Sequence, residues 1–240
     1  MLCDDWFKTH KTDSDGNPVD PKKRLKNWWY YNKWLVLGGL VLAVLLFDFG
    51  RSIYLNHVNR PDFQVACLGT PLPQGTVDAL EQALAQIGPD LNGDGQVRVR
   101  VNCYAVCTRE EPADPAAAYA DQTKLFADIQ AGDSFLFLME NPEAFQEQAG
   151  ILTRLDGTFP LDTPDSELPV YLPWSACPVL TGLELGRFTD PMLGDGFSVD
   201  NQLVLEPLFL GHRSPSSTDS AVNEACEAFW RQLIAGATPG

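Results

Sequence analysis

No catalytic signature runs through this chain. It contains no Gly-x-Ser-x-Gly elbow, no His-Glu-x-x-His pair and no phosphate-cradling glycine loop, which excludes the hydrolase elbow, the zincin peptidases and the P-loop nucleotide binders. Histidine is scarce: His10, His57 and His212 are the three in the chain, and each is isolated. His212 follows a predicted strand, where a solvated side chain is the expectation. Positive charge is short as well, with 17 Lys and Arg against 32 Asp and Glu and a net charge of −15. That balance repels nucleic acid and anionic lipid, and its ordinary meaning is solubility. The six cysteines include no Cys-x-x-Cys pair of the redox or zinc type.

Long apolar runs are absent but for one. Trp34 to Phe47 (WLVLGGLVLAVLLF) has no polar interruption until Asp48. Fourteen residues fall short of the roughly 20 that cross a bilayer, but the helix extends at both ends. Trp28, Trp29, Tyr30 and Tyr31 form an aromatic belt, Lys33 can snorkel back to it, and Phe49, Ile53, Tyr54 and Leu55 continue outward. Residues 28–50 are therefore expected to form one transmembrane helix. Lys22, Lys23, Arg24, Lys26 and Lys33 precede or enter it, whereas Arg51 and Arg60 follow. This asymmetry puts the N-terminus in the cytoplasm and the C-terminal domain outside the cell membrane. Nothing after the run resembles a small-x-small cleavage site.

Charge divides at the same place. The first 50 residues carry seven basic and six acidic side chains, and the remainder ten and 26. Residues 1–27 are polar and aperiodic, reading as a disordered cytoplasmic tail. Residues 51–60 read as a juxtamembrane linker and 61–240 as one extracytoplasmic domain, long enough for its own core.

That domain is clearly punctuated. Phe63 to Leu68 reads as a buried strand. Gly75 to Ile87 is a helix with Val77, Leu80, Leu84 and Ile87 on one face and Gly88 as its stop. Gln96 to Val106 alternates at its start, as a half-wet strand does. Asp114-Pro115 and Asn141-Pro142 are two cap-plus-proline helix starts, closed by Gly132 and Gly150. Between them Ser134 to Met139 is a short apolar strand of a covered sheet. The order β-α-β-α-β-α predicts an α/β fold with a mostly parallel sheet flanked by helices. Farther on, prolines at 164, 169, 173 and 178 indicate loop or edge. Val179 to Phe188 and Asn201 to Leu210 read as strands, with Pro207 at an edge or bulge. Ser220 to Ile234 is an amphipathic helix with Val222, Cys226, Phe229 and Leu233 inward.

The stretch between Lys124 and Asp156, with KLFADIQAGDSFLFLM followed by PEAFQEQAGILTRLDG, resembles the first lobe of the type II extracellular solute-binding proteins of bacterial ABC importers. The resemblance lies in a helix ending at Ala127, Asp128, Ile129 and Gly132, and in Gly150, Leu152, Leu155 and Asp156 after the next helix. The β-α-β from Phe63 to Val106 fits the same lobe, and Leu208 to Ala235 is similar to the strand and helix by which that family's chain returns to it. The resemblance implies one lobe of such a protein, membrane-anchored, in the bacterial cell envelope. The family binds its ligand between two lobes, and this chain has length for one lobe plus an insertion.

Ligands of open parallel sheets gather beyond the strands' carboxyl ends. The candidate loops are therefore Gly69 to Gln74, Cys107 to Glu111 and Glu140 to Asn141, with Gly69, Thr70, Thr108 and Glu140 as the residues named. Asp90 to Gly95 (DLNGDG) opens like a calcium loop, with Asp90, Asn92 and Asp94 as its ligand types. Its twelfth position is Val101 where a bidentate carboxylate is needed, and its ninth is Arg98, so a structural turn is expected. Cys3 falls in the tail, and Cys67, Cys103, Cys107, Cys177 and Cys226 fall outside. Cys103 and Cys107 are roughly 13 Å apart in a strand, too far to bridge. Mostly buried free thiols are expected, with one or two disulfides as the other reading.

Two classes of function follow. The first, and the expectation, is a non-enzymatic, single-pass binding or interaction module without cofactor or metal. Its partners would be the bilayer and an envelope protein, with a small-molecule ligand open and nucleic acid excluded; a transport association is within its range. The second is an envelope enzyme or enzyme accessory with a site built from acidic loops.

Overall fold

A computed structural model describes residues 21–58, 60–108, 114–189, 198–217 and 219–238. The chain divides into two units at Asn59 and Arg60.

The first unit is one helix, α1 (Pro21–Val58). Within it, Trp28–Ser52 is long and apolar enough to cross a membrane, and no part of that window is buried against protein. At 1.5 Å per residue these 25 residues reach about 37 Å, more than the roughly 30 Å hydrocarbon core. Trp34, Leu35 and Phe47 are each more than 70% exposed. The Lys33 ammonium lies 5.1 Å from the Tyr30 ring centroid, and Asn32 Nδ2 donates to the Trp28 carbonyl at 2.9 Å. Both polar side chains are thus partnered on their own helix. The helix corrects the expected boundaries. Residues 21–27, read as tail, are helical from Pro21, a proline at the first helical position followed by good helix formers. Residues 51–58, read as linker, also continue the helix, because no proline or capping glycine interrupts them. The rest of the expected tail, residues 1–20, lies outside the described residues.

The second unit is mixed α/β. Its elements are β1 (Phe63–Leu68), α2 (Gln74–Ile87), β2 (Val99–Tyr104), α3 (Pro115–Ala131), β3 (Ser134–Met139), α4 (Pro142–Ala149), β4 (Tyr171–Pro173), α5 (Pro178–Thr181), β5 (Arg187–Thr189), β6 (Ser198–Asp200), α6 (Asn201–Leu205), β7 (Phe209–His212) and α7 (Ser220–Leu233). Five strands form one sheet in the order β2-β1-β3-β7-β4. β1 pairs in parallel with β2 and β3. β7 is antiparallel to both β3 and β4, so four strands share one direction and β7 opposes them. β5 and β6 form a separate antiparallel pair.

The helix signals operate as read. Asp114 accepts from Ala116 N and Ala117 N, and Asn141 from Ala144 N. Gly132 and Gly150 close their helices in the left-handed conformation. Val65, Cys67, Val101, Leu136 and Leu138 line one face of the sheet together with Leu80 and Leu84 of α2 and Phe229 and Leu233 of α7. Ala66, Leu68, Phe137 and Met139 line the other, with Leu125 of α3 and Phe145 of α4. All six residues of β3 are buried, as a strand covered on both faces requires.

Two strand expectations fail. Val179 to Phe188 begins instead as α5, started by Pro178, and only Arg187–Thr189 pairs as a strand. Asn201 to Leu210 is α6 followed by a turn and β7. Asp200 accepts from Gln202 N and starts that helix. Leu203 is exposed and Leu205 fully buried; a strand would put both on one face, whereas a helix separates them. Pro207 cannot donate to a ladder and stands in the turn before β7. Trp174, just after β4, is packed into the core at 1% exposure, with Nε1 donating to Gln202 Oε1 at 2.8 Å.

Candidate functional site at the carboxyl edge of the sheet

β1 and β3 are adjacent and parallel, so the loops leaving them emerge side by side. Glu140 N donates to the Leu68 carbonyl at 2.8 Å, which extends the ladder one step. The Glu140 carboxylate then turns back over Gly69 and accepts from Thr70 N at 2.8 Å and Thr70 Oγ1 at 3.1 Å. Gly69 has φ +139°, and a Cβ there would stand 2.6 Å from both Glu140 Cβ and Oε2. Only glycine lets the carboxylate approach this closely. Gly69 N also donates to the Tyr104 carbonyl at the end of β2.

Three of the sequence-selected residues, Gly69, Thr70 and Glu140, are therefore brought together as a clasp. Thr108 is half-buried on the loop after β2, and residues 109–111 of that candidate loop lie outside the described residues. Just before Thr108, Cys107 has φ +51°, and its thiol lies 3.7 Å from Gln148 Oε1. Burial raises the Cys107 thiol above its ordinary pKa.

Sequence reading missed a second feature at this edge. Cys67 of β1 and Cys103 of β2 are register partners, and hydrogen bonding between their thiols is the leading cause of a pKa shift in each. The bond from Cys67 brings the Cys103 pKa down to about 7, helped by the Leu72 N–H and opposed by burial and by Glu81. Cys67 moves well above its ordinary value, through the same bond to Cys103 and through burial. The signal was open only to pairing: each strand shows its cysteine, but their juxtaposition needs the register.

The opposite edge holds buried polar groups. Asp128 Oδ1 accepts from Ser134 N at 2.9 Å, and Oδ2 from Ser134 Oγ at 2.8 Å and Tyr104 Oη at 2.7 Å. Burial, then Asp128, raises the Tyr104 phenol above its usual range. One signal existed, an acid in the last turn of α3, where the helix dipole disfavours it. Arg213 Nη1 donates to the Ile129 carbonyl at 2.7 Å, while its buried Nε has no hydrogen-bond partner. A shallow groove lined by Ser214, Asn223, Glu227 and Arg231 lies beyond β7 at this edge, away from the clasp.

His212 overturns the expectation of a solvated histidine. It is fully buried and stacks on Trp230, with ring centroids 3.9 Å apart and planes 15° from parallel. Thr153 Oγ1 lies 3.1 Å from its Nε2 and also donates to its carbonyl. Burial depresses its pKa to about 3, against a smaller opposing pull from Asp156.

The calcium-like turn is closed on itself. Asp90 accepts from Gly93 N and Gly95 N, Asn92 from Asp94 N, and Asp94 from Gln96 N. Asp94 also pairs with Arg98. Asp62 holds the turn to the start of β1 by accepting from Leu91, Asn92 and Arg98 N–H groups. Among the described residues no group of three or more His, Cys, Asp or Glu side chains could hold a metal ion. No family model, no curated protein and no solved structure matches this chain.

Proposed function

We propose that this chain is a single-pass, membrane-anchored binding or interaction module of the bacterial cell envelope. Its N-terminus is cytoplasmic and its α/β unit lies outside. The observation that carries the proposal is α1, whose Trp28–Ser52 window turns its apolar side chains outward with none of the window covered by protein; a bilayer is the solvent that suits such a surface. The basic residues ahead of that window support the orientation. The sheet supports the reading as one solute-binding-like lobe, because β7 inserts antiparallel between β3 and β4, where a returning strand would join.

A macromolecular partner fits this unit better than a small solute. The clasp already occupies its carboxylate with Thr70, and one lobe offers no facing wall to enclose a small molecule. The loop between α4 and β4 is instead braced for contact. The Arg154 guanidinium donates to Thr163 Oγ1, to the Thr163 carbonyl and to the Leu168 carbonyl. The braced loop leaves Leu161 93% exposed, with Phe159 and Leu168 exposed beside it. This reading places the partner's contact on these three apolar side chains of the braced loop.

Two measurements test this reading. Protease added to intact cells is expected to digest residues 61–240 while the N-terminal tail stays protected; protection of the α/β unit until lysis would reverse the orientation. In a thermal-shift screen of sugars, amino acids and short peptides on the full chain in detergent, no large saturable stabilisation is expected. Strong stabilisation by one small solute would make the unit a solute receptor instead.

A further inference from the structure

Cys67 and Cys103 face each other across a parallel ladder. Register partners project onto the same face of a sheet, and neighbouring strands lie about 4.8 Å apart, inside the window of roughly 4.4–6.8 Å between Cα atoms that a disulfide spans. Each thiol is the leading influence on the other's pKa. They differ in access: Cys67 is 2% exposed in the interior strand β1, whereas Cys103 is half-buried on β2, an edge strand of the sheet. An edge strand has one neighbour and can shift toward it. None of the other described cysteines is the register partner of a second cysteine.

We propose that Cys67 and Cys103 form a reversible dithiol–disulfide site that exchanges with the disulfide of another molecule. The Cys103 thiolate attacks one sulfur of the incoming disulfide. A mixed disulfide forms on Cys103, and the other half leaves as a thiolate that takes up a proton. Cys67 then gives up its proton and attacks Cys103 Sγ. The Cys67–Cys103 bond forms and the second half leaves as a thiol. Two protein thiols are oxidised, and one external disulfide is reduced to two thiols. In the reverse direction an external dithiol restores the pair.

The surroundings favour this division of labour. The Cys67 S–H and the Leu72 N–H stabilise a thiolate on Cys103, whose pKa of about 7 suits attack at neutral pH. The charged groups that face the pair are Glu81 of α2 and Glu140 after β3, and both oppose thiolate formation.

The test uses the full chain in detergent with glutathione disulfide as the probe. After equilibration at neutral pH, free thiols are alkylated and peptides are sequenced by mass. The expected result is loss of two hydrogens with a Cys67–Cys103 cross-link, reversed by dithiothreitol. Cys67→Ala should trap glutathione on Cys103, and the pH midpoint for Cys103 alkylation should rise by roughly one unit or more once the donor is lost. The proposal fails if Cys67 and Cys103 of the wild-type chain both stay alkylatable in excess glutathione disulfide. It fails equally if the cross-link joins Cys103 to Cys107, or if glutathione settles on Cys67. The wild-type measurement needs no variant to fold, and its outcome is independent of topology and partner.

Discussion

Replacing Trp230 by alanine is expected to destabilise the α/β unit by about 3–5 kcal/mol, the range for truncating a large buried aromatic. Trp230 is 1% exposed. Its ring covers His212 at 3.9 Å, and its Nε1 donates to the Leu155 carbonyl at 3.2 Å. The alanine variant would lose the packing of α7 against the sheet, open a cavity beside an already buried imidazole and take the Nε1 donor from the Leu155 carbonyl. With domain stabilities of roughly 5–15 kcal/mol, such a loss leaves little folded protein at elevated temperature. Thermal unfolding of the full chain in detergent, followed by near-ultraviolet circular dichroism, measures it. Trp230→Phe should recover part of the loss, since it restores ring contact but not the indole donor. A cost below about 1 kcal/mol for Trp230→Ala would mean that α7 does not pack as described.

The second large effect is a dependence on acid. In the folded chain His212 titrates near pH 3, and in the unfolded chain near 6.5. Between those values the unfolded state binds the proton and the folded state does not. Stability therefore falls as pH falls through that window, by up to about 1.4 kcal/mol per unit, and this contribution vanishes above pH 6.5. Lowering the pH from 6.5 to 4.5 is expected to cost the wild-type chain roughly 2 kcal/mol through this residue alone. His212→Phe keeps a ring against Trp230 and removes the titration, and Thr153 Oγ1 still has the residue-212 carbonyl to donate to. Its stability should fall less over the same interval. Asp94 and Asp121, whose pKa values are lowered by hydrogen bonds from Arg98 and Lys124 respectively, titrate in both chains and cancel in the comparison. Parallel pH profiles would show that His212 protonates without unfolding.

Local chemistry was legible in the sequence wherever a short motif has one physical outcome. Asp114-Pro115 and Asn141-Pro142 began helices because a side-chain acceptor and a preset φ act within one turn. Gly132 and Gly150 ended them because the left-handed conformation needs no distant partner. Ser134 to Met139 announced a covered strand by having no polar face, and Trp34 to Phe47 announced a helix suited to lipid. The edge that gathers Gly69, Thr70 and Glu140 followed from the βαβ order alone.

Tertiary structure decided what depends on pairing and burial. Asn201 to Leu210 carries apolar residues that suit a strand, yet its first half is a helix capped by Asp200, which docks Leu205 in the core and leaves Leu203 in solvent. His212 looks like a strand-end residue until Trp230, distant in sequence, stacks over it. Cys67 and Cys103 read as two separate core cysteines until the β1–β2 register sets them opposite each other. Helix starts, stops and apolar runs are determined by neighbours a few residues away, and so the chain states them directly. Register, stacking and the burial of a single polar group are settled by contacts between distant segments, which take their form only when the whole sheet is assembled.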